Sequence, residues 1–203
     1  MTRLLPLAVA LVASGPALAQ AELLGTPNGV AVSATRSATY DAQFQSGRVL
    51  GSGVAAEAVI GRAYLAVGGA WTGVQGSTVG TFAAAAGGFI ERDLERGSAV
   101  LASVAFQIGE GGDVRLLTPQ VSASYRVTQA GQWELAPQAS AGFIVDISRR
   151  VGGEVGPFVS GGLALSIGTA GGRFAVAPSV TVFPTAEVGV VSLGISGGLA
   201  LGL

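Results

Sequence analysis

From Leu117 onward the chain alternates. Leu117, Pro119, Val121, Ala123, Tyr125 and Val127 are apolar, and the residues between them, Thr118, Gln120, Ser122, Ser124, Arg126 and Thr128, are polar. The next run repeats the pattern, with Trp133, Leu135, Pro137, Ala139, Ala141, Phe143, Val145 and Ile147 set against Gln132, Glu134, Gln138, Ser140, Asp146 and Ser148. A period of two belongs to a β-strand with unlike faces, because successive side chains leave a strand on opposite sides. Such runs exceed the ~5–6 residues usual for strands of soluble proteins.

Weaker copies of the pattern extend through the chain. Val30, Val32, Ala34, Ala38, Tyr40, Ala42 and Phe44 oppose Ser33, Thr35, Ser37, Thr39, Asp41 and Gln43, with Arg36 on the apolar side. Val100, Ala102, Val104, Phe106 and Ile108 form another apolar face. Phe174, Val176, Pro178, Val180 and Val182 form a third, interrupted by Phe183 on the opposite parity. The last run sets Val191, Leu193, Ile195, Leu199, Leu201 and Leu203 against Ser192, Gly194, Ser196, Gly198 and Gly202. Residues 81–90 are too rich in Ala and Gly for parity to orient them.

Composition decides what these strands build. Only 11% of residues are charged, less than half the ~25% of soluble domains, and the mean hydropathy is +0.58. Beyond the first twenty residues no apolar stretch reaches the ~20 residues a spanning helix needs. The 33 Gly also disfavour helices, since each costs ~1 kcal/mol relative to Ala in a helix interior. A hydrophobic chain without spanning helices satisfies its backbone in lipid by closing a sheet on itself. The expectation is therefore all-β, a closed antiparallel up-and-down transmembrane β-barrel.

Turn signals divide the chain. They lie at Ser46-Gly47, Gly61-Arg62, 73–77, 93–97, 110–113, 129–132, 149–156, 169–172 and 185–187. A single strand over 48–72 would be ~80 Å long at 3.3 Å per residue, so a turn at Gly61-Arg62 splits it. Ten strands result, at 29–45, 48–60, 63–72, 78–91, 98–109, 114–128, 132–148, 157–168, 173–184 and 188–203. Eight, with an irregular N-terminal region, is the alternative. With both termini on one side, Phe44, Trp71, Phe82, Phe106 and Phe158 fall toward one rim and Tyr125, Trp133 and Phe174 toward the other. Interfacial aromatic girdles are arranged in this way.

The N-terminus carries an address. Arg3, the apolar stretch Leu4 to Ala13 and the small-residue pattern Ala17-Leu18-Ala19 have the three parts of a secretory signal peptide, with cleavage expected before Gln20. The expected organisation is a signal peptide over 1–19, a short lead over 20–28 and a barrel over 29–203. Without Arg3, ten Arg face 12 acidic residues with no Lys, a formal charge of −2. So weak a charge gives no footing for nucleic acid. Cys is absent, so an exported chain has no disulfide framework.

With signal peptide, long alternating strands and an apolar last strand in view, the chain resembles the small outer-membrane β-barrel proteins, such as the OmpA-like transmembrane group. The resemblance spans residues 29–203 and rests on pattern, with no diagnostic motif. It implies a bacterial outer-membrane location, contact with outer-membrane lipid, and recognition of the last strand by the barrel-insertion machinery. In that group the last residue is usually aromatic; here it is Leu203.

The chemistry is sparse. There is no His, which removes the commonest general base and metal ligand and the usual nucleophilic triads. Gly152-Gly153 and Gly171-Gly172 lack the strand–loop–helix setting of a phosphate loop and read as turns. Glu91, Asp93 and Glu95 with Arg92 and Arg96 read as a solvated turn rather than a cation site. Asp41, Arg62, Arg126, Glu134, Asp146 and Arg173 share the polar parity of their strands, and charges in such a barrel should face inward and pair. They can close the lumen as an ion-pair network or line a narrow pore. No enzyme, cofactor or metal is expected. The leading expectation is a structural or surface-interaction barrel, with the loop over 149–156 available to an extracellular partner. The alternatives are a porin-like channel for small solutes or ions and a secreted soluble β-sheet binding protein.

Overall fold

The computed structural model describes residues 28–41, 49–74, 77–110, 114–148, 155–169, 172–184 and 190–203. The expected signal peptide, most of the lead and Phe44 lie outside them. Eleven strands follow in order: β1 (Asn28–Asp41), β2 (Val49–Ile60), β3 (Ala63–Val74), β4 (Ser77–Asp93), β5 (Ser98–Gly109), β6 (Arg115–Tyr125), the short β7 (Thr128–Ala130), β8 (Trp133–Asp146), β9 (Val155–Thr169), β10 (Gly172–Phe183) and β11 (Val190–Gly202). Ten form the wall, and β7 prolongs β6. Each of the ten wall strands pairs antiparallel with the next along the chain, β6 with β8 across the short β7, and β1 pairs with β11, so the sheet closes on itself. No helix among the described residues is long and apolar enough to cross a membrane.

Parity sorts the wall as the alternation requires. Val32 and Ile195 stand outward, 58% and 53% exposed, and Leu65, Val67, Val121, Leu163 and Val180 join them on the same surface. Inward positions are small or polar, among them Ala31, Ser37, Thr72, Ser103, Thr118, Ser122, Ala164, Ala175 and Ser192, all buried. This is a soluble protein turned inside out. Arg36 is outward, as parity places it, and exposed; its long stem can carry the guanidinium along the wall toward the polar zone.

Two apolar clusters fill the interior toward its ends. Near the end carrying the 61–62, 94–97 and 131–132 turns, Val59, Tyr64, Phe89 and Leu101 pack over a floor of alanines. Near the opposite end, Leu116, Ile144, Phe158, Phe183 and Val190 gather, and the Phe158 and Phe183 rings lie 6.1 Å apart. Phe183, a parity violation on a lipid-facing reading, is thus a lumen residue. The turn end is tied by Asn28, whose Oδ1 accepts the Gly61 N–H at 2.8 Å, and by Arg92, which donates to the Gly61 carbonyl at 2.7 Å.

The wall has three irregularities. In β4 the register shifts between Phe89 and Glu91: Phe89 keeps the inward parity of Thr81, Ile90 and Glu91 are both exposed, and the Phe89 N–H donates to the Arg62 carbonyl. The β9–β10 ladder lapses at Ala177 and Pro178. The β6–β8 seam lapses at Thr118 and Pro119, and its ladder ends at Ser124 opposite Gln138, before Tyr125 and Pro137. Proline supplies no N–H to a ladder. Pairing resumes at Thr128 opposite Leu135, so β6 contains one residue more than β8 there, and the strand expected over 114–128 divides. Arg126 keeps the inward parity of Ser122 and Ser124.

Gly142 in β8 marks a close approach on this seam. A methyl group there would meet the Pro119 carbonyl oxygen and lie 2.8 Å from the Phe158 ring. Gly142→Val is expected to cost about 1–3 kcal/mol by overpacking. The measurement is the fraction of unboiled protein that migrates as the folded form on a gel, which should fall relative to the wild type.

Candidate functional site: the charged mouth and the occluded lumen

The charges of the lumen do not form one network. At the turn end three strand termini bring Arg126, Glu134 and Arg173 together. Glu134 is the second residue of β8 and Arg173 the second of β10, and both point inward by parity. Arg173 Nη1 lies 2.5 Å from Glu134 Oε2 and also donates to Ser166 Oγ at 3.3 Å. Arg126 Nη1 reaches the same carboxylate oxygen at 3.5 Å, and its Nη2 donates to the Glu95 carbonyl. Two guanidinium groups thus share one buried carboxylate, giving a cluster of net charge +1. Burying a lone carboxylate is costly, and two cations with fixed donors offset that cost.

Gly97 makes the arrangement possible. It sits in the β4–β5 turn at φ +66°, and a Cβ there would fall 2.7 Å from Arg126 Nε. Only a residue without a side chain lets Arg126 lie across the turn and reach Glu134.

The other expected lumen charges fall elsewhere. Asp146 is buried at the opposite end, where it accepts the Ser148 N–H at 2.8 Å while Ser148 Oγ accepts the Arg115 N–H at 2.9 Å. It shapes the end of β8 rather than meeting the Arg–Glu–Arg cluster. Arg62 does not line the lumen: it occupies the Gly61-Arg62 turn and is exposed. A two-residue turn has no inward parity, which is why the strand-based expectation fails there. Asp41 ends β1, and its side chain lies outside the described residues, as do Arg149 to Glu154 of the loop expected to meet a partner.

Sequence reasoning missed Glu57. It is buried inside the barrel and accepts a 2.8 Å hydrogen bond from the Tyr64 hydroxyl across the β2–β3 hairpin. The signal was present, since Glu57 shares parity with Gly51, Gly53, Ala55 and Val59, but small residues hid the alternation. A belt of hydroxyls and amides completes the interior, with Thr39 donating to Ser192 Oγ, Thr181 to Ser160 Oγ and Gln120 to Ser103 Oγ. No group of three or more acidic side chains that could hold a metal occurs among the described residues.

The aromatics divide. Trp71, Phe82 and Phe106 are outward toward the loop end, and Tyr125, Trp133 and Phe174 are outward at the turn end. Phe158 does not belong to a girdle. It is buried in the lumen against Phe183, because β9 sets even positions 158, 164 and 166 inward.

Closed antiparallel ladders, a greasy exterior and a polar, charge-bearing interior define a small β-barrel of the outer-membrane type. Comparison with known proteins agrees at the level of fold. Over 87% of this chain and all of the other, the structure is similar to the β-domain of the Bordetella autotransporter BrkA, with a TM-score of 0.51 and 10% identity. Neisserial surface protein A aligns over 88% of this chain and 98% of its own, at a TM-score of 0.44 and 11% identity. The KdgM porin aligns over 81% and 97%, at 0.39 and 10%. No protein-family model and no curated protein matches the sequence.

Removing the shared carboxylate should be severe. Glu134→Ala leaves two guanidinium groups facing each other and is expected to cost about 3–5 kcal/mol, the usual effect of breaking a buried ion pair. Gly97→Ala should cost about 1–3 kcal/mol through left-handed backbone strain, and it also displaces Arg126. Urea unfolding in lipid vesicles, followed by tryptophan fluorescence, measures both.

Proposed function

We propose that the protein is a non-enzymatic integral barrel of the bacterial outer membrane, exported by its N-terminal signal, which serves as an envelope scaffold or surface-interaction element rather than as an open pore. The observation that carries this reading is the filling of the interior. Thr72 is 0% exposed, and Thr181 and Ser192 are 1% exposed, although all three point into the lumen. Residues lining a water-filled channel would be wetted. Apolar clusters toward both ends and the ion-paired cluster at the turn end support the same conclusion. In barrels of this kind short turns face the periplasm and longer connections face outward, so the connections after β1, β8 and β10 are the segments offered to a partner.

A second reading, a narrow channel, draws on the polar belt and on the half-buried Ala55, Ala66, Ala85 and Ala105 around the middle of the lumen. Planar-bilayer recording of the refolded protein separates the two. The scaffold reading expects no reproducible conductance steps, and steady unitary steps would favour the channel. Cell fractionation tests the location: the protein should pellet with outer membranes, and recovery in the soluble periplasm or medium would remove both readings in favour of a secreted binding protein.

A further inference from the structure

The β6–β8 seam is interrupted on both sides of a short panel. Five successive pairs, from Gln120 opposite Gly142 to Ser124 opposite Gln138, stand between a gap at Thr118 and Pro119 and a second at Tyr125 and Pro137. The missing N–H of each proline falls on this seam. On their other sides the ladders run unbroken, through Pro119 opposite Val104 in β5 and through Pro137 opposite Leu163 in β9. Beyond the gaps the two strands are pinned again. Leu116 and Leu117 face Asp146 and Val145 toward the loop end, and Thr128 to Ala130 face Leu135 to Trp133 at the turn end.

The side chains of the panel are unusual as well. On its lumen face Ser122 Oγ, Ser124 Oγ and Gln138 Nε2 are buried without a hydrogen-bond partner, and Thr118 Oγ1 at the first gap has none either. Natural structures leave few such atoms. Elsewhere in the interior comparable hydroxyls are paired across strands, as Thr39 is with Ser192 and Thr181 with Ser160. Broken backbone pairing and idle polar side chains coincide at one place.

We propose that this panel is a lateral gate through which the polar belt of the lumen communicates with the membrane. Opening a ladder in hydrocarbon frees backbone N–H and C=O groups that find no water there. Where membrane helices are broken, Ser and Thr side chains satisfy such groups. Ser122, Ser124 and Gln138 stand beside the bonds that opening would break, idle in the closed wall and able to replace those bonds in the open one. Apolar clusters fill the lumen toward both of its ends, so the gate gives access from the side where the axis gives none. Hydroxyls and amides line the belt behind it, which suits a small uncharged polar solute that partitions into the bilayer. The gate rests on the membrane-embedded reading above.

The test uses the full mature chain folded into phospholipid vesicles, and the absence of native Cys lets thiols be placed singly or in pairs. Nitroxides on Val104→Cys and Val159→Cys, outward on β5 and β9, straddle the gate. Those on Val54→Cys and Val180→Cys, outward on β2 and β10, straddle the continuous β1–β11 joint. Pulsed double electron–electron resonance should give a second, longer distance across the gate and a single distance across the joint. Pro119→Val with Pro137→Val restores both N–H groups from outward positions and should reduce the longer population several-fold. Ser122→Ala with Ser124→Ala breaks no bond of the closed wall and should reduce it as well; an unchanged population would overturn the role given to these hydroxyls. Access is read at Ser140→Cys, on the lumen face of the panel, against Ser33→Cys in β1. N-ethylmaleimide, which partitions into lipid, should modify the first several-fold faster, and the double proline variant should remove the difference. Should that variant fail to fold by gel mobility, either single replacement closes one gap and should give a partial loss. A single distance across both seams, or a longer one unmoved by the restored N–H groups, overturns the gate. Equally fast reaction of Ser140→Cys with a charged, water-confined thiosulfonate would mean entry along the axis and overturns the lateral route. A chain that does not float with the vesicles overturns the membrane reading instead.

Discussion

Closure of the backbone ladder is the constraint from which the other features follow. In hydrocarbon an unpaired N–H or C=O has no water to turn to, and each one left open costs several kcal/mol. A sheet has two edges until it meets itself, and here β1 meets β11 from Gly29 opposite Gly202 to Asp41 opposite Val190. Once the edges are gone, the chain is free to be hydrophobic on its outer face. Polarity moves to the interior, where Ser and Thr hydroxyls bond across neighbouring strands.

Inside a cylinder of this size, side-chain volume becomes the limiting quantity. Inward residues are mostly Ala, Gly, Ser and Thr, and the few large ones are collected toward the two ends. The charged cluster follows the same logic. Arg126, Glu134 and Arg173 stand at strand termini, where the mouth leaves room for guanidinium groups and where Gly97 leaves a path for one of them.

Legibility in the sequence followed side-chain contrast. In β6 and β8, where most apolar and polar residues alternate, the facing of the alternating side chains could be assigned without coordinates, whereas the inward Leu116, Ala136 and Ile144 carry no such contrast. In β2 and β4, where Ala and Gly fill both parities, it could not, and Glu57 was overlooked for that reason. Ten strands were readable because turn residues punctuate the chain at intervals a bilayer-spanning hairpin needs. Long-range meetings were not readable. That Arg126 and Arg173 would share Glu134, and that Asp146 would stand apart at the other end, depends on shear and register, which no local pattern encodes. Phe158 was misassigned because one aromatic residue among small neighbours carries no parity of its own. Arg62 was misassigned because strand logic was carried one residue too far into a turn.

The faults in the wall are not scattered at random. The bulge in β4, the lapse at Pro178 and the doubly interrupted seam at Pro119 and Pro137 all fall between strands that follow one another along the chain. Such pairs are tethered by a short connection, so a missing bond leaves them side by side. The union of β1 with β11 joins the two extremities of the fold and has no tether at all. Its ladder is continuous along its whole length, with thirteen successive paired positions from Gly29 opposite Gly202 to Asp41 opposite Val190. Connectivity thus tolerates the imperfections that do occur where it holds the staves together, while the one joint that only hydrogen bonds keep shut is paired throughout.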